Sequence, residues 1–268
     1  MQTVSEALAE AAQRKPDLAP YYELHCRLLE LQEKAKEEIA ATIEMADQGA
    51  LQMSVHQGLP LVSFAQLPIE AEQFAELALH IAQMLTEYDV EVGERTLPSD
   101  SVAWVSLAQQ WFETGQTAEE PSEESQEETL AFKSAGLALK PYLEWVAEQV
   151  LPQVDQEHWR RGYCPICGGA PDLSTLDEET GARRLLCSRC NSQWLYRRVG
   201  CPFCETSDHT KLAYYPSEDK VYRLYICQEC RRYLKTIDLR EAKREMLLPV
   251  ERVTTVAMDA AAQQEGYL

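Results

Sequence analysis

The chain of 268 residues carries 25 Lys and Arg against 44 Asp and Glu, a formal charge of −19 at pH 7, and 45% of its residues are hydrophobic. That suffices for a true core, and two modest domains are expected rather than one large one. No run of 18 apolar residues is present, which excludes a membrane-spanning helix. Met1 to Pro16 holds acids and polar residues where a secretory leader needs an apolar stretch, so a cytoplasmic chain is expected.

The charge is uneven. Residues 1–157 hold 8 Lys and Arg against 29 Asp and Glu, a balance of −21, whereas residues 158–268 hold 17 against 15, a balance of +2. An acidic first half repels phosphate backbones and counts against nucleic acid as a partner.

In chain order, residues 2–13 predict a short helix with Val4, Leu8 and Ala11 on one side, ended by Pro16. From Tyr21 to Ala46, Leu24, Leu28, Leu31, Ala35, Ile39 and Ile43 recur every three or four residues before Gly49, the strongest helical signal in the sequence. His25 and Cys26 near its start read as packing or surface residues rather than ligands. Residues 51–67 contain Gly58 and Pro60 and predict a linker, with Leu59, Leu61, Val62 and Phe64 packed on the helices. A helix from about Pro68 carries Phe74, Leu77, Ile81, Leu85 and Tyr88, with His80 beside that stripe in a structural role. Another, capped by Ser99 or Asp100, carries Val102, Val105, Ala108, Trp111 and Phe112 and closes at Gly115; Trp104 and Trp111 are spaced to share a face. Gly115 to Glu128, with six glutamates, predicts a solvated loop. Helix resumes from Thr129 to about Val150, interrupted or kinked at Pro141. No Ser/His/Asp set, Gly-rich phosphate loop or His-Glu-x-x-His motif occurs in this half, which therefore predicts an all-α bundle without a catalytic constellation.

The texture then changes. Arg184–Cys187, Gln193–Arg198, Leu212–Tyr215, Val221–Cys227 and Tyr233–Ile237 are rich in Tyr, Val, Leu and Trp and predict strands, with turns at Gly181 and Ser217 to Asp219. The tail after Glu241 predicts helix, with Leu247, Leu248 and Val250 apolar and Pro249 interrupting it.

Among these strands lie four Cys-x-x-Cys pairs, Cys164/Cys167, Cys187/Cys190, Cys201/Cys204 and Cys227/Cys230, which account for eight of the nine cysteines. A turn closed over two intervening residues points both sulfurs at one ion, and its backbone N–H groups stabilise their charge. The pairs are separated by 19, 10 and 22 residues. The two longer gaps suit a hairpin that returns on itself, so the first pair is matched with the second and the third with the fourth, an interleaved pairing ranking behind. Four bridges would require an oxidising compartment, and a thioredoxin-like dithiol does not need four repeated pairs. The expected fold class is α+β: an acidic helical domain over 1–157, tandem rubredoxin-like or zinc-ribbon units over 158–240 (158–198 and 199–240), and a helical tail over 241–268. His209, five residues past Cys204, reads as a structural or solvent-facing residue beside a complete set of four thiolates.

The sequence Tyr163-Cys164-Pro165-Ile166-Cys167-Gly168, the run Gly181 to Cys190 followed by Trp194, Val199-Gly200-Cys201-Pro202-Phe203-Cys204, and Cys227-Gln228-Glu229-Cys230 with Arg231-Arg232-Tyr233-Leu234-Lys235 resemble the FdhE family of formate dehydrogenase accessory proteins. The resemblance covers the second half; the first agrees only in class and length. It implies a non-enzymatic cytoplasmic factor that binds the catalytic subunit of respiratory formate dehydrogenase before export by the twin-arginine route. It also implies a rubredoxin-like site, so two ions held by the eight cysteines, iron before zinc; four thiolates suit either metal. Two other readings stand beside it. Arg160, Arg161, Arg183, Arg184, Arg197, Arg198, Arg231 and Arg232, interleaved with Trp and Tyr, suit a zinc-ribbon nucleic-acid binder, and retained iron would suit a rubredoxin-like redox protein.

Overall fold

The computed structural model describes residues 2–40, 48–114 and 129–268. Its helices are α1 (Val4–Arg14), α2 (Ala19–Glu37), α3 (Gln48–Gln57), α4 (Ala71–Glu87), α5 (Ser101–Thr114), α6 (Leu130–Val150), α7 (Leu248–Thr254) and α8 (Val256–Gln264). The strands are β1 (Pro171–Leu176), β2 (Arg183–Cys187), β3 (Gln193–Tyr196), β4 (Leu212–Pro216), β5 (Tyr222–Cys227) and β6 (Tyr233–Asp238). The α+β class holds: helices make the first half and the end, and a six-stranded sheet lies between them in sequence.

Caps set several helix starts. Thr3 and Glu6 form a reciprocal capping box on α1, the Asp100 carboxylate accepts from Ala103 N at 2.9 Å, and Thr129 Oγ1 accepts from Phe132 N at 3.2 Å. On α4, Phe74, Leu77, Ile81 and Leu85 are buried as their spacing requires. On α5 the buried stripe is Trp104, Ala108 and Phe112, while Val102 is 72% exposed. The expected face is kept at Ala108 and Phe112, with Val105 and Trp111 partly buried beside it, and is corrected at its start, where Trp104 rather than Val102 points inward.

Other boundaries differ from the sequence reading. The long helix expected over 21–46 stops at Glu37 with no glycine or proline to end it. At its last turn Lys36 reaches Glu148 of α6 at 3.1 Å, and Ile39 turns in against the core. Gly49 lies inside α3, so the linker expected over 51–67 begins as helix. Val62 is buried and Leu61 and Phe64 pack partly, but Leu59 is 52% exposed. The expected positions Ile43 and Gly115 to Glu128 lie outside the described residues.

Helix α6 runs through Pro141 without a break. Proline has no N–H for the Leu137 carbonyl four residues back, a loss that ordinarily breaks a helix. Here the buried Gln32 side chain of α2 donates from Nε2 to that carbonyl at 2.8 Å. Pro249, expected to interrupt the tail, sits in the first turn of α7, where a missing N–H costs nothing.

The sheet has the order β3-β2-β1-β6-β5-β4. Each ribbon is a three-stranded antiparallel meander (β1-β2-β3 and β4-β5-β6), and the two join through a parallel β1–β6 pair, Leu173 opposite Lys235 through Leu176 opposite Asp238. Strand β1 was missed because Pro171-Asp172-Leu173-Ser174-Thr175-Leu176 has neither alternation nor aromatics. It is nonetheless almost wholly buried as a central strand, with Ser174 Oγ and Thr236 Oγ1 hydrogen-bonded at 2.6 Å across the seam.

Packing ties the first ribbon to the helices. One core runs from Leu24, Phe74, Ile81, Leu139 and Val146 into Trp159, Ile166, Leu185 and Trp194 of the ribbon. The segment after α3 pairs with the first cysteine turn, Leu61 N donating to Pro165 O at 2.9 Å and Val62 N to Ile166 O at 3.0 Å. The last helices brace both ribbons. From α7, Arg252 pairs with Asp172 at 2.6 Å and donates to the Cys187 carbonyl at 2.9 Å. From α8, Asp259 takes Lys235 at 2.7 Å and Tyr233 OH at 2.8 Å.

Candidate metal centres

The four Cys-x-x-Cys turns are copies of one local structure. In each, the first cysteine's N–H donates to the carbonyl five residues on: Cys164 to Gly169, Cys187 to Ser192, Cys201 to Thr206 and Cys227 to Arg232, at 2.9, 2.9, 3.0 and 2.9 Å. In each, the residue after the second cysteine has positive φ: Gly168 at 74°, Asn191 at 54°, Glu205 at 58° and Arg231 at 56°. Only the first of these is glycine, so the other three hold a conformation that costs an L-residue about 1–2 kcal/mol. Backbone N–H groups of Ile166, Arg189 and Phe203 point at the sulfurs of Cys164, Cys187 and Cys201, each at 3.4 Å. Such donors favour thiolate over thiol.

The turns converge in two groups. Cys164, Cys167, Cys187 and Cys190 form one, Cys201, Cys204, Cys227 and Cys230 the other, and within each group the sulfurs all lie within 4.8 Å of one another. Matching first with second and third with fourth is therefore what the fold does, and none of these cysteines is in a disulfide. Sulfur separations are 3.5 Å for Cys164–Cys190 and Cys167–Cys187, 3.6 Å for Cys167–Cys190 and Cys201–Cys230, and 3.7 Å for Cys204–Cys227. Tetrahedral coordination with metal–sulfur bonds of about 2.3 Å needs sulfur edges of about 3.8 Å, so the donor set and its spacing fit a metal ion at each centre. Burial pushes the Cys164 thiol well above its ordinary value, a cost that a dication at the centre would reverse. Four thiolates in this geometry serve zinc and iron equally and do not choose between them.

The first centre is enclosed. Its cysteines are 0, 0, 0 and 3% exposed, and all four belong to the core shared with the helices. Between Cys187 and Cys190, the buried Arg189 stacks 4.2 Å from the Trp111 ring and donates to the Trp111 and Phe112 carbonyls at 2.8 and 2.9 Å, capping the last turn of α5. Asn191, just beyond Cys190, bridges Glu144 of α6 and Arg252 of α7 at 2.6 and 2.7 Å. Sequence reasoning missed these supporting residues because the partners of Arg189 lie 77 and 78 positions away. The second centre is open: Cys201 and Cys227 are buried, Cys230 is half-buried and Cys204 is exposed. The two centres touch through Gly162, where any Cβ would collide with the Pro202 carbonyl oxygen.

The remaining candidates do not join either group. His25 lies in α2 with its ring 4.4 Å from that of Tyr21, its pKa lowered to about 4 by burial and by Lys140. His80 and His209 are exposed, and Cys26 contacts Ser5 at 3.2 Å. Most of the ribbon arginines are engaged within the chain. Arg183 is 3% exposed and donates to Gly200 O at 3.0 Å, Arg160 pairs with Glu157, Arg161 reaches His56 O at 3.4 Å, and Arg184 reaches Gln156 at 2.9 Å. Arg197 bonds the Glu205 carbonyl, Arg231 the Glu265 carbonyl at 2.6 Å, and Arg232 stacks on Phe203. Among the described residues no helix is long and apolar enough to cross a membrane.

Comparison with known proteins agrees with the motif reading. Residues 163–198 match the family model described as FdhE, central domain. A protein FdhE homolog of Aquifex aeolicus is 35% identical over 135 residues, 48% of this chain and 46% of that protein; protein FdhE of Escherichia coli is 33% identical over 112 residues, 40% of this chain and 35% of that protein. The matched stretch thus spans less than half the length of these curated relatives. In fold, the crystal structure of the FdhE protein from Pseudomonas aeruginosa aligns with a TM-score of 0.65 at 23% identity, covering 99% of this chain and 91% of that one. The chain resembles FdhE proteins in sequence through the first ribbon and in fold along its whole length.

Proposed function

We propose that this chain is a non-enzymatic accessory factor for respiratory formate dehydrogenase, acting in the cytoplasm on the catalytic subunit before export. The observation that carries this reading is the pair of four-cysteine centres, the first of them inside the stretch that matches the FdhE central domain, on a fold shared with an FdhE protein from end to end. In the proposed role Cys164, Cys167, Cys187 and Cys190 hold one ion and Cys201, Cys204, Cys227 and Cys230 a second, iron before zinc. When bound, each ion supplies cross-linking of turns that are distant in sequence, and the protein supplies a rigid platform whose helical half carries the acidic surface. That surface, at −21 over residues 1–157, would attract a basic segment of the client.

The test is co-purification. The tagged chain is expressed in cells making formate dehydrogenase, and the catalytic subunit is expected in the eluate. Its absence, with the bait folded and metal-loaded, would overturn the reading. Elemental analysis and the visible spectrum of anaerobically purified protein decide the metal, since a colourless, zinc-only sample removes iron.

A further inference from the structure

We propose that the two centres divide their work: the first is a permanent part of the core, and the second is an exchange site from which an ion passes to an incoming thiolate by ligand substitution at Cys204. This rests on the reading that each tetrad holds one ion. Three observations carry it. The first concerns access, because all four sulfurs of the first centre are buried whereas Cys204 is exposed and Cys230 half-buried. The second concerns the residues inside the turns. Pro165, Ile166 and Arg189 are buried at the first centre, while Gln228 and Glu229 of the fourth turn are exposed. The third concerns support. The first centre is pinned by backbone pairing from Leu61 and Val62, by the Arg189 cap on α5 and by Arg252 on the Cys187 carbonyl. By contrast, Lys211 with Glu229 is an exposed ion pair beside the second, of the kind that contributes little rigidity.

The step is a substitution without redox change. The incoming thiolate would take the place of Cys204 on the ion, and the same exchange at Cys230, Cys201 and Cys227 by further thiolates would complete the transfer; every sulfur keeps its electron pair, and each released cysteine takes up the proton its replacement gave up. At the first centre the same approach requires opening the core around Trp159, Ile166 and Trp194, a far rarer event than motion of a surface turn.

The full chain loaded with zinc tests this. Release is followed with 4-(2-pyridylazo)resorcinol at increasing dithiothreitol, while pulses of iodoacetamide and peptide mapping report which cysteines open first. Two equivalents should bind, one leaving at least about tenfold faster than the other, with a rate that rises with dithiothreitol and with Cys204 and Cys230 alkylated before any of Cys164, Cys167, Cys187 and Cys190. The C204S variant should lack the fast phase and keep the slow one, and the wild-type mapping stands on its own should that variant fail to fold. Two equivalents leaving in a single phase, or first alkylation at the enclosed centre, would overturn the exchange proposal alone. Binding of fewer than two equivalents would overturn the two-ion reading and the exchange proposal with it.

Discussion

The two ribbons share a blueprint: turn, two strands, turn, third strand, with the same closing hydrogen bond and the same left-handed residue in every turn. They differ in what surrounds them. The first is packed into the helical core, with its own Arg189 reaching α5 and Arg252 of α7 reaching in to it; the second lies at the far end of the sheet, with β4 as an edge strand and Tyr214 and Tyr215 49 and 61% exposed. Identical local chemistry can therefore serve as an interior structural element in one place and an accessible site in the other, because burial and second partners decide how freely a sulfur can leave.

The sharpest break in the comparison is ligand loss. Cys187→Ser leaves three thiolates inside the shared core, so helices and first ribbon should melt together, with a loss approaching the order of 10 kcal/mol that a structural site contributes. Cys230→Ser should loosen only the second ribbon and leave the helical transition in place. Equal melting curves for the two variants, followed by circular dichroism, would contradict the difference described above.

Gly162 is where the ribbons meet, and Gly162→Ala forces Pro202 away from it. A cost of about 3 kcal/mol is expected, as for overpacking elsewhere, with metal content falling at both centres rather than one. Chemical denaturation and elemental analysis of the variant measure this; loss confined to one centre would show that the seam does not couple them.

Acid should act on the helical half through His25. His25, buried near Lys140, has its pKa lowered to about 4. The unfolded chain, with an ordinary imidazole, binds the proton more readily, so this contribution to stability is fully present above about pH 6.5 and is lost as pH falls from there toward 4. After discounting for partial exposure, it is on the order of 1–2 kcal/mol. His25→Gln should flatten that part of the stability–pH curve; an unchanged slope would place the acid sensitivity elsewhere.

The smallest effect should be a gain. Glu205 holds φ at 58° after Cys204, where the equivalent turn of the first ribbon has Gly168. Glu205→Gly relieves that strain, and a stabilisation of about 1 kcal/mol is expected at the second ribbon, read as a higher midpoint for its transition.

Helix positions and the eight cysteines were legible because both rest on local rules: three-to-four-residue periodicity, caps, and a two-residue spacing that aims two sulfurs one way. The places that misled were those where distant residues overrule the local signal. Gln32 rescues the helix through Pro141, and β1 is a strand because β2 and β6 flank it rather than because its own residues favour one.

The amino-acid sequence by itself determined the α+β class and the four metal-type turns and favoured their match in consecutive pairs over an interleaved one, since hairpin return over 19 and 22 residues is a short-range matter of chain geometry. Only the tertiary structure decided that the ribbons fuse into one sheet and that one centre is sealed while the other faces solvent. Burial depends on which surfaces the helices and the tail cover, and that is set by contacts between residues tens of positions apart, which no local pattern of side chains records.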